Sequence, residues 1–230
     1  MRGIRAVLFD AGGTLIHMDG ARTAAAADLP YREDVFARAY DAAVTEIRRW
    51  VVANPRSTDN ERMPRFLAAL LGGLGVPEDA RREAARGIVA EHLRANLWSR
   101  GDEDAPATLA ALRDRGYRLA VVSNADGRVR ALLTEAGLAS HFEFVVDSAE
   151  AGFEKPDPRI FHSATARLDL PPSSCAYVGD IYEIDILGAR GAGLEAILIG
   201  NCEAPADVPR VGRLAELLDL LPGETPVTAS

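Results

Sequence analysis

The sequence predicts an α/β fold: a parallel sheet flanked by helices, with an all-helical block inserted after the first strand. From about residue 105 onward, short apolar runs alternate with stretches of helical period, the pattern of parallel strands joined by helical crossovers. Between the first apolar run, ending at Phe9, and that alternation, the stretch from Arg22 to about Leu97 carries helical period only. The chain has 230 residues and is 48% apolar, enough for a sizeable core and incompatible with a disordered chain.

Each element follows in order. Residues 4 to 9 form a short buried strand bounded by a glycine turn, which sets Asp10 at its carboxyl end. The helical block reads as three or four helices in YREDVFARAYDAAVTEIRRWVV, NERMPRFLAALLGGL and PEDARREAARGIVAEHLRANLW, broken at Asn54-Pro55 and at Gly75-Val76-Pro77. Then come a helix in TLAALRDR closed by Gly116, a strand YRLAVVS, a helix VRALLTEAG, a strand FEFVV and a helix PRIFHSATARL. A strand CAYVG, a helix IDILGARGAG, a strand EAILIG and a last helix RLAELLDLL complete the pattern, and the tail PGETPVTAS reads as frayed. The expected division is a core of residues 1–16 and 101–230 and a helical domain of residues 17–100.

Charge and cysteine content exclude several functions. A net charge of −8 lacks the clustered basic excess of a nucleic-acid binder. Two cysteines, Cys175 and Cys202, make neither a disulfide framework nor a metal-ligand spacing. With no apolar run near 18 residues and no leader pattern in MRGIRAVLFDAGG, a cytoplasmic protein with no membrane span is expected.

In an open parallel sheet, ligands collect at the carboxyl ends of the strands. That rule selects Asp10, Ser123 with Asn124, Lys155 in GFEKPDP, and Gly179-Asp180 with Asp185 five residues on. Asp10 and Asp180 converging at one edge repel unless a cation lies between them, and hard oxygen ligands suit Mg²⁺. With Ser123 and Lys155 to grip an anion, the set makes sense as a phosphoryl site: a carboxylate nucleophile, a divalent ion and a neutralising ammonium. Lys155 is the only lysine among 26 Lys plus Arg, so position 155 selects a compact point charge where arginine serves elsewhere.

These residues carry a resemblance. FDAGGTL at 9–15, VVSNADG at 121–127, EKPDPRIF at 154–161 and YVGDIYEIDILGARGAG at 177–193 match, in order, the four motifs of the haloacid dehalogenase superfamily of hydrolases, in its helical-cap form (subfamily I). The resemblance implies a Rossmann-like core with a cap domain at residues 17–100. It implies Asp10 as nucleophile, Ser123 on a phosphoryl oxygen, Lys155 bridging nucleophile and phosphate, and Mg²⁺ on Asp10, Asp180 and the Gly12 carbonyl. Asp185 would support the metal or orient Lys155, and Asn124 and Thr14 would contact substrate. The expected activity is Mg²⁺-dependent hydrolysis of a small phosphorylated metabolite through an aspartyl-phosphate, by a monomer or homodimer.

Gly12 departs from that pattern. Phosphatases of the superfamily usually carry there a second aspartate that protonates the leaving group and activates water, assistance typically worth ~10²- to 10⁴-fold. His17 and Asp19 are candidates to replace it, though His17 reads equally well as an ordinary linker histidine. Carbon–halogen hydrolases of the superfamily also lack the second aspartate, but they use no Mg²⁺ and usually lack the acidic spacing of Asp180 and Asp185. Phosphonoacetaldehyde-type chemistry needs a cap lysine, and residues 17–100 contain none. A poorly active binding protein on the same fold is the third reading. Trp50, Trp98, Phe66 and Leu67 read as helix packing, and Cys175 as a small buried hydrophobe.

Overall fold

The computed structural model describes Met1 and residues 3–223; from Glu224 on, the tail expected to fray lies outside them. The chain separates into two compact units, Met1–Ile16 with Gly101–Ser230, and His17–Arg100.

In the first unit, the described residues form one parallel sheet from β1 (Ala6–Phe9), β4 (Arg118–Ser123), β5 (Val145–Asp147), β6 (Cys175–Gly179), β7 (Glu195–Ile199) and β8 (Arg210–Val211). Their order across the sheet is β5-β4-β1-β6-β7-β8. β1 therefore lies at the point where crossovers leave in opposite directions, which opens a crevice at its carboxyl end. The register pairs Leu8 with Ala120 on one side and with Tyr177 on the other.

Both sheet faces are buried, as parallel strands require. Leu8, Val122, Tyr177 and Leu198 point to the face that holds Ile160 and Phe161 of α8 (Pro158–Arg167), where the Phe161 and Tyr177 rings meet edge to face at 5.0 Å. Further helices of this unit are α5 (Ala105–Asp114), α6 (Val129–Glu135), α7 (Ser148–Ala151), α9 (Leu187–Gly191) and α10 (Leu217–Leu220). The helix expected in IDILGARGAG divides into a wide π turn, Tyr182–Ile186, followed by α9, and the one expected in RLAELLDLL into two single turns. A π turn of this kind is common at functional sites.

The second unit contains α1 (Gly20–Ala26), α2 (Glu33–Ala53), α3 (Asp59–Gly73) and α4 (Glu78–Arg94). Helix α2 buries Phe36, Ala39, Ala43, Ile47 and Val51, one per turn, which is why its sequence reads so plainly as amphipathic. A capping box starts α3: the Thr58 N–H donates to Glu61 Oε2 at 2.8 Å. At its far end, Gly73 leaves room for Ala39, since a Cβ there would stand 2.8 Å from the Ala39 Cα. Like β8, the strands β2 (Ile16–Met18) and β3 (Trp98–Gly101) are absent from the sequence reading; these two pair where the chain leaves and re-enters the sheet unit. No helix among the described residues is long and apolar enough to cross a membrane.

Candidate active site

The strand ends of the first unit bring Asp10, Lys155, Asp180 and Asp185 together. The ladder between β1 and β6 continues to Asp10, whose N–H donates to the Val178 carbonyl at 2.8 Å. Beyond it the chain turns tightly, with the N–H groups of Thr14, Leu15 and Ile16 all donating to the Ala11 carbonyl. Gly13 serves this turn twice: its φ is +82°, and a Cβ there would lie 2.3 Å from Asp180 Oδ2. Gly179 has a similar steric role, because a Cβ on it would come 2.5 Å from the Asp185 Cγ.

Lys155 is 2% exposed and stands at the centre of the cluster. Its Nζ donates to Asp10 Oδ1 at 2.7 Å, to Asp185 Oδ1 at 2.7 Å and to the Tyr177 hydroxyl at 2.8 Å, three acceptors for three N–H groups. Tyr177 passes its own proton to the Val122 carbonyl at 2.8 Å. Asp185 is anchored from the other side, its Oδ2 accepting the Ile181 N–H at 2.9 Å across the π turn. Burial alone would lower the Lys155 ammonium, but the charges of Asp10 and Asp185 outweigh it and hold the lysine protonated well above the usual range. Burial also pushes the Asp10 carboxyl up to about 6, against the pull of Lys155 and with the repulsion of Asp185.

Asp180 is the group left without compensation. Its Oδ1 is buried and has no hydrogen-bond partner among the described residues. Burial first, then the charges of Asp185 and Asp10, drive its carboxyl well above the ordinary range. Asp10, Asp180 and Asp185 each offer an oxygen, and these lie within 4.8 Å of one another. Three carboxylates against one ammonium, with one buried oxygen orphaned, is an arrangement that a hard cation completes. Asp185 has the least to offer it, since both its oxygens already accept hydrogen bonds.

The remaining expected residues fall as follows. Ser123 ends β4, is 3% exposed, and makes a long 3.5 Å contact to the Asn124 carbonyl. Thr14 is fully buried, with no partner for its Oγ1 among the described residues. Asn124, expected at the substrate, turns its amide to the main chain of Lys155: Oδ1 accepts the Lys155 N–H at 2.7 Å and Nδ2 donates to the Lys155 carbonyl at 3.1 Å. Gly12 bridges to Ile16 in the turn. In the helical unit, the Asp19 carboxylate caps α1 by accepting the Arg22 N–H at 3.0 Å. Tyr177 is the residue that sequence reasoning passed over, because a tyrosine in CAYVG reads as core.

The family model for haloacid dehalogenase-like hydrolases matches residues 4–193. The chain belongs to that family. This HAD-like hydrolase is 44% identical over 126 residues to a haloacid dehalogenase-like hydrolase domain-containing protein 3 of Bos taurus, a match that covers 52% of this chain and 50% of that protein. Against such curated relatives the match spans about half their length. A glyceraldehyde 3-phosphate phosphatase of Methanothermobacter thermautotrophicus is 30% identical over 200 residues, 86% of each chain. Among solved structures, the HAD-hydrolase YfnB from Bacillus subtilis has the same fold, with a TM-score of 0.67 at 22% identity over 95% of this chain and 98% of that one.

Proposed function

We propose that this hydrolase removes the phosphoryl group from a small phosphorylated metabolite, with Mg²⁺ bound and Asp10 as nucleophile. The observation that carries the reading is the buried, unpartnered oxygen of Asp180 beside the Asp10–Lys155 pair, a deficit of positive charge set against the nucleophile. The likeness to a protein named as a glyceraldehyde 3-phosphate phosphatase supports a phosphate ester as the substrate class.

Asp10, Asp180 and the Gly12 carbonyl would hold Mg²⁺, which when bound neutralises charge on the oxygens of the transferring group. Lys155 holds Asp10 Oδ1, so Oδ2 is the attacking atom. It bonds to phosphorus as the bond from phosphorus to the leaving oxygen breaks, which gives an aspartyl-phosphate. Ser123 donates its hydroxyl to a phosphoryl oxygen. Gly12 has no side chain, so the leaving oxygen takes its proton from water. A second water then attacks phosphorus, the bond to Asp10 breaks, and inorganic phosphate departs. The unit His17–Arg100 acts as the cap that selects the substrate, and the enzyme works in the cytoplasm as a monomer or homodimer.

The test is phosphate release from a panel of phosphorylated metabolites and an aryl phosphate, with Mg²⁺ and with EDTA, beside halide release from 2-haloacids. Mg²⁺-dependent phosphate release that Asp10→Asn abolishes, with an unchanged circular dichroism spectrum, is the expected result. Halide release indifferent to EDTA would make the protein a dehalogenase. Silence in both assays would leave a binding protein on this fold.

A further inference from the structure

Lys155 is gripped at both ends. Its main chain is paired with the Asn124 amide, N–H to Oδ1 at 2.7 Å and carbonyl to Nδ2 at 3.1 Å. A primary amide can accept and donate side by side in this way; a carboxylate only accepts and a hydrocarbon does neither. Its ammonium donates to the Tyr177 hydroxyl at 2.8 Å, while that hydroxyl's own proton has the Val122 carbonyl at 2.8 Å as its shorter acceptor and Asp185 Oδ1 at 3.3 Å as the longer one.

The Asn124 end rests on a braced loop. The Ala125 N–H donates to Ser148 Oγ at 3.0 Å, Ser148 Oγ returns a hydrogen bond to the Ala125 carbonyl at 3.2 Å, and the Gly127 N–H donates to Asp147 Oδ2 at 3.0 Å. None of these bonds belongs to the sheet ladder, which runs through main-chain pairs of β4 with β1 and β5, and of β6 with β1 and β7. Their common effect is to bring one side chain, from a loop rather than a strand, to a fixed point between Asp10 and Asp185. We infer that Asn124 and Tyr177 are positioning residues for Lys155, the first fixing its main chain and the second its ammonium. Asn124 acts on catalysis through Lys155 and makes no substrate contact.

The chain itself supplies the probe, since Lys155 is its only lysine. Labelling with ¹³C,¹⁵N-lysine gives an NMR spectrum of that residue alone. In the wild-type protein the Lys155 amide, though in a loop, exchanges with solvent at least about tenfold more slowly than an open amide. Asn124→Ala removes that protection, Asn124→Asp keeps the acceptor and retains part of it, and Tyr177→Phe shifts the Lys155 side-chain signals. The kinetic arm rests on the phosphatase reading: Asn124→Ala and Tyr177→Phe each lower kcat by about 10- to 100-fold and leave KM within about twofold. A freely exchanging Lys155 amide in the wild type overturns the inference without any variant. So do Lys155 signals that coincide in wild type and variants, or a raised KM at unchanged kcat in Asn124→Ala, the mark of a substrate contact. A protected amide in a protein that releases no phosphate would instead sink the phosphatase reading and leave the positioning role standing.

Discussion

Replacing Lys155 by methionine keeps an unbranched side chain as far as Cε and deletes the terminal ammonium with its charge. Two carboxylates that each sit 2.7 Å from Nζ then lose their buried counter-ion, with Asp180, already without a partner for Oδ1, as a third acid in the same space. Breaking a buried pair by removing one member typically costs about 3–5 kcal/mol, because the charge left behind remains desolvated. With a urea m-value of about 3 kcal/mol/M, at the upper end for small proteins, the unfolding midpoint should fall by about 1–1.7 M. The assay is urea unfolding followed by far-ultraviolet circular dichroism in EDTA, with Arg86→Met as the control. Arg86 pairs with Glu83 on an exposed helix face, so its loss should move the midpoint by less than about 0.2 M. If Lys155→Met moved it no further than the control, the buried-counter-ion argument would be refuted, and with it the account of why this position holds a lysine.

Three further outcomes follow from the same geometry. Asp180→Asn, measured in EDTA, should raise the melting temperature by about 2–8 °C, since an amide relieves the repulsion and offers a donor worth about 1–2 kcal/mol, while the stabilisation added by Mg²⁺ should vanish; a lower melting temperature in EDTA would contradict this. Gly12→Asp should raise the turnover of an aryl phosphate by ~10-fold or more, toward the range of general acid catalysis, as followed by phenolate release; an unchanged rate would mean that another group already supplies the proton. Burial pushes the Cys175 thiol up to about 11, so titration with a disulfide reagent at neutral pH should find one fast thiol, Cys202, and a second only in denaturant.

Much of the fold was legible because the signals were long or repeated. Apolar runs that are buried on both faces, such as AVLF and LAVV, stand out from the amphipathic helices between them, and the strand-end rule then points to Asp10, Ser123, Lys155 and Asp180 without reference to distance. Short strands escaped for the opposite reason: Ile16–Met18, Trp98–Gly101 and Arg210–Val211 offer two to four residues each, too few to show alternation. The π turn at Tyr182–Ile186 was hidden because its stretch has good helical character; the ties of Asp185 to the Ile181 N–H and to Lys155 are tertiary and leave no periodic trace. Tyr177 escaped for a related reason, while Asn124 was placed at the site but expected at the substrate rather than on the Lys155 main chain. A tyrosine within an apolar strand reads as core, and an asparagine at a strand end reads as a substrate contact; only the placement of Lys155 gives each its other role.

The site is also where sequence, fold and stability pull apart. The parallel sheet supplies its ends regardless of what is placed there, and apolar or neutral residues at 10, 180 and 185 would bury more comfortably than three acids. The chain keeps the acids and shares one positive charge between two of them, spending all three N–H groups of its single lysine on Asp10, Asp185 and Tyr177. Asp180 keeps one buried oxygen without a hydrogen-bond partner among the described residues. Steric room is reserved for the same cluster, since Gly13 clears the Asp180 carboxylate and Gly179 clears that of Asp185. A cluster that was merely tolerated would relax by pairing or exposing its last carboxylate oxygen, whereas this one holds it buried beside the proposed nucleophile. On the proposed Mg²⁺ reading, that retained imbalance ties the stability of the cation-free protein to its affinity for the ion, and so ties the Asp180→Asn melting experiment to the catalytic reading.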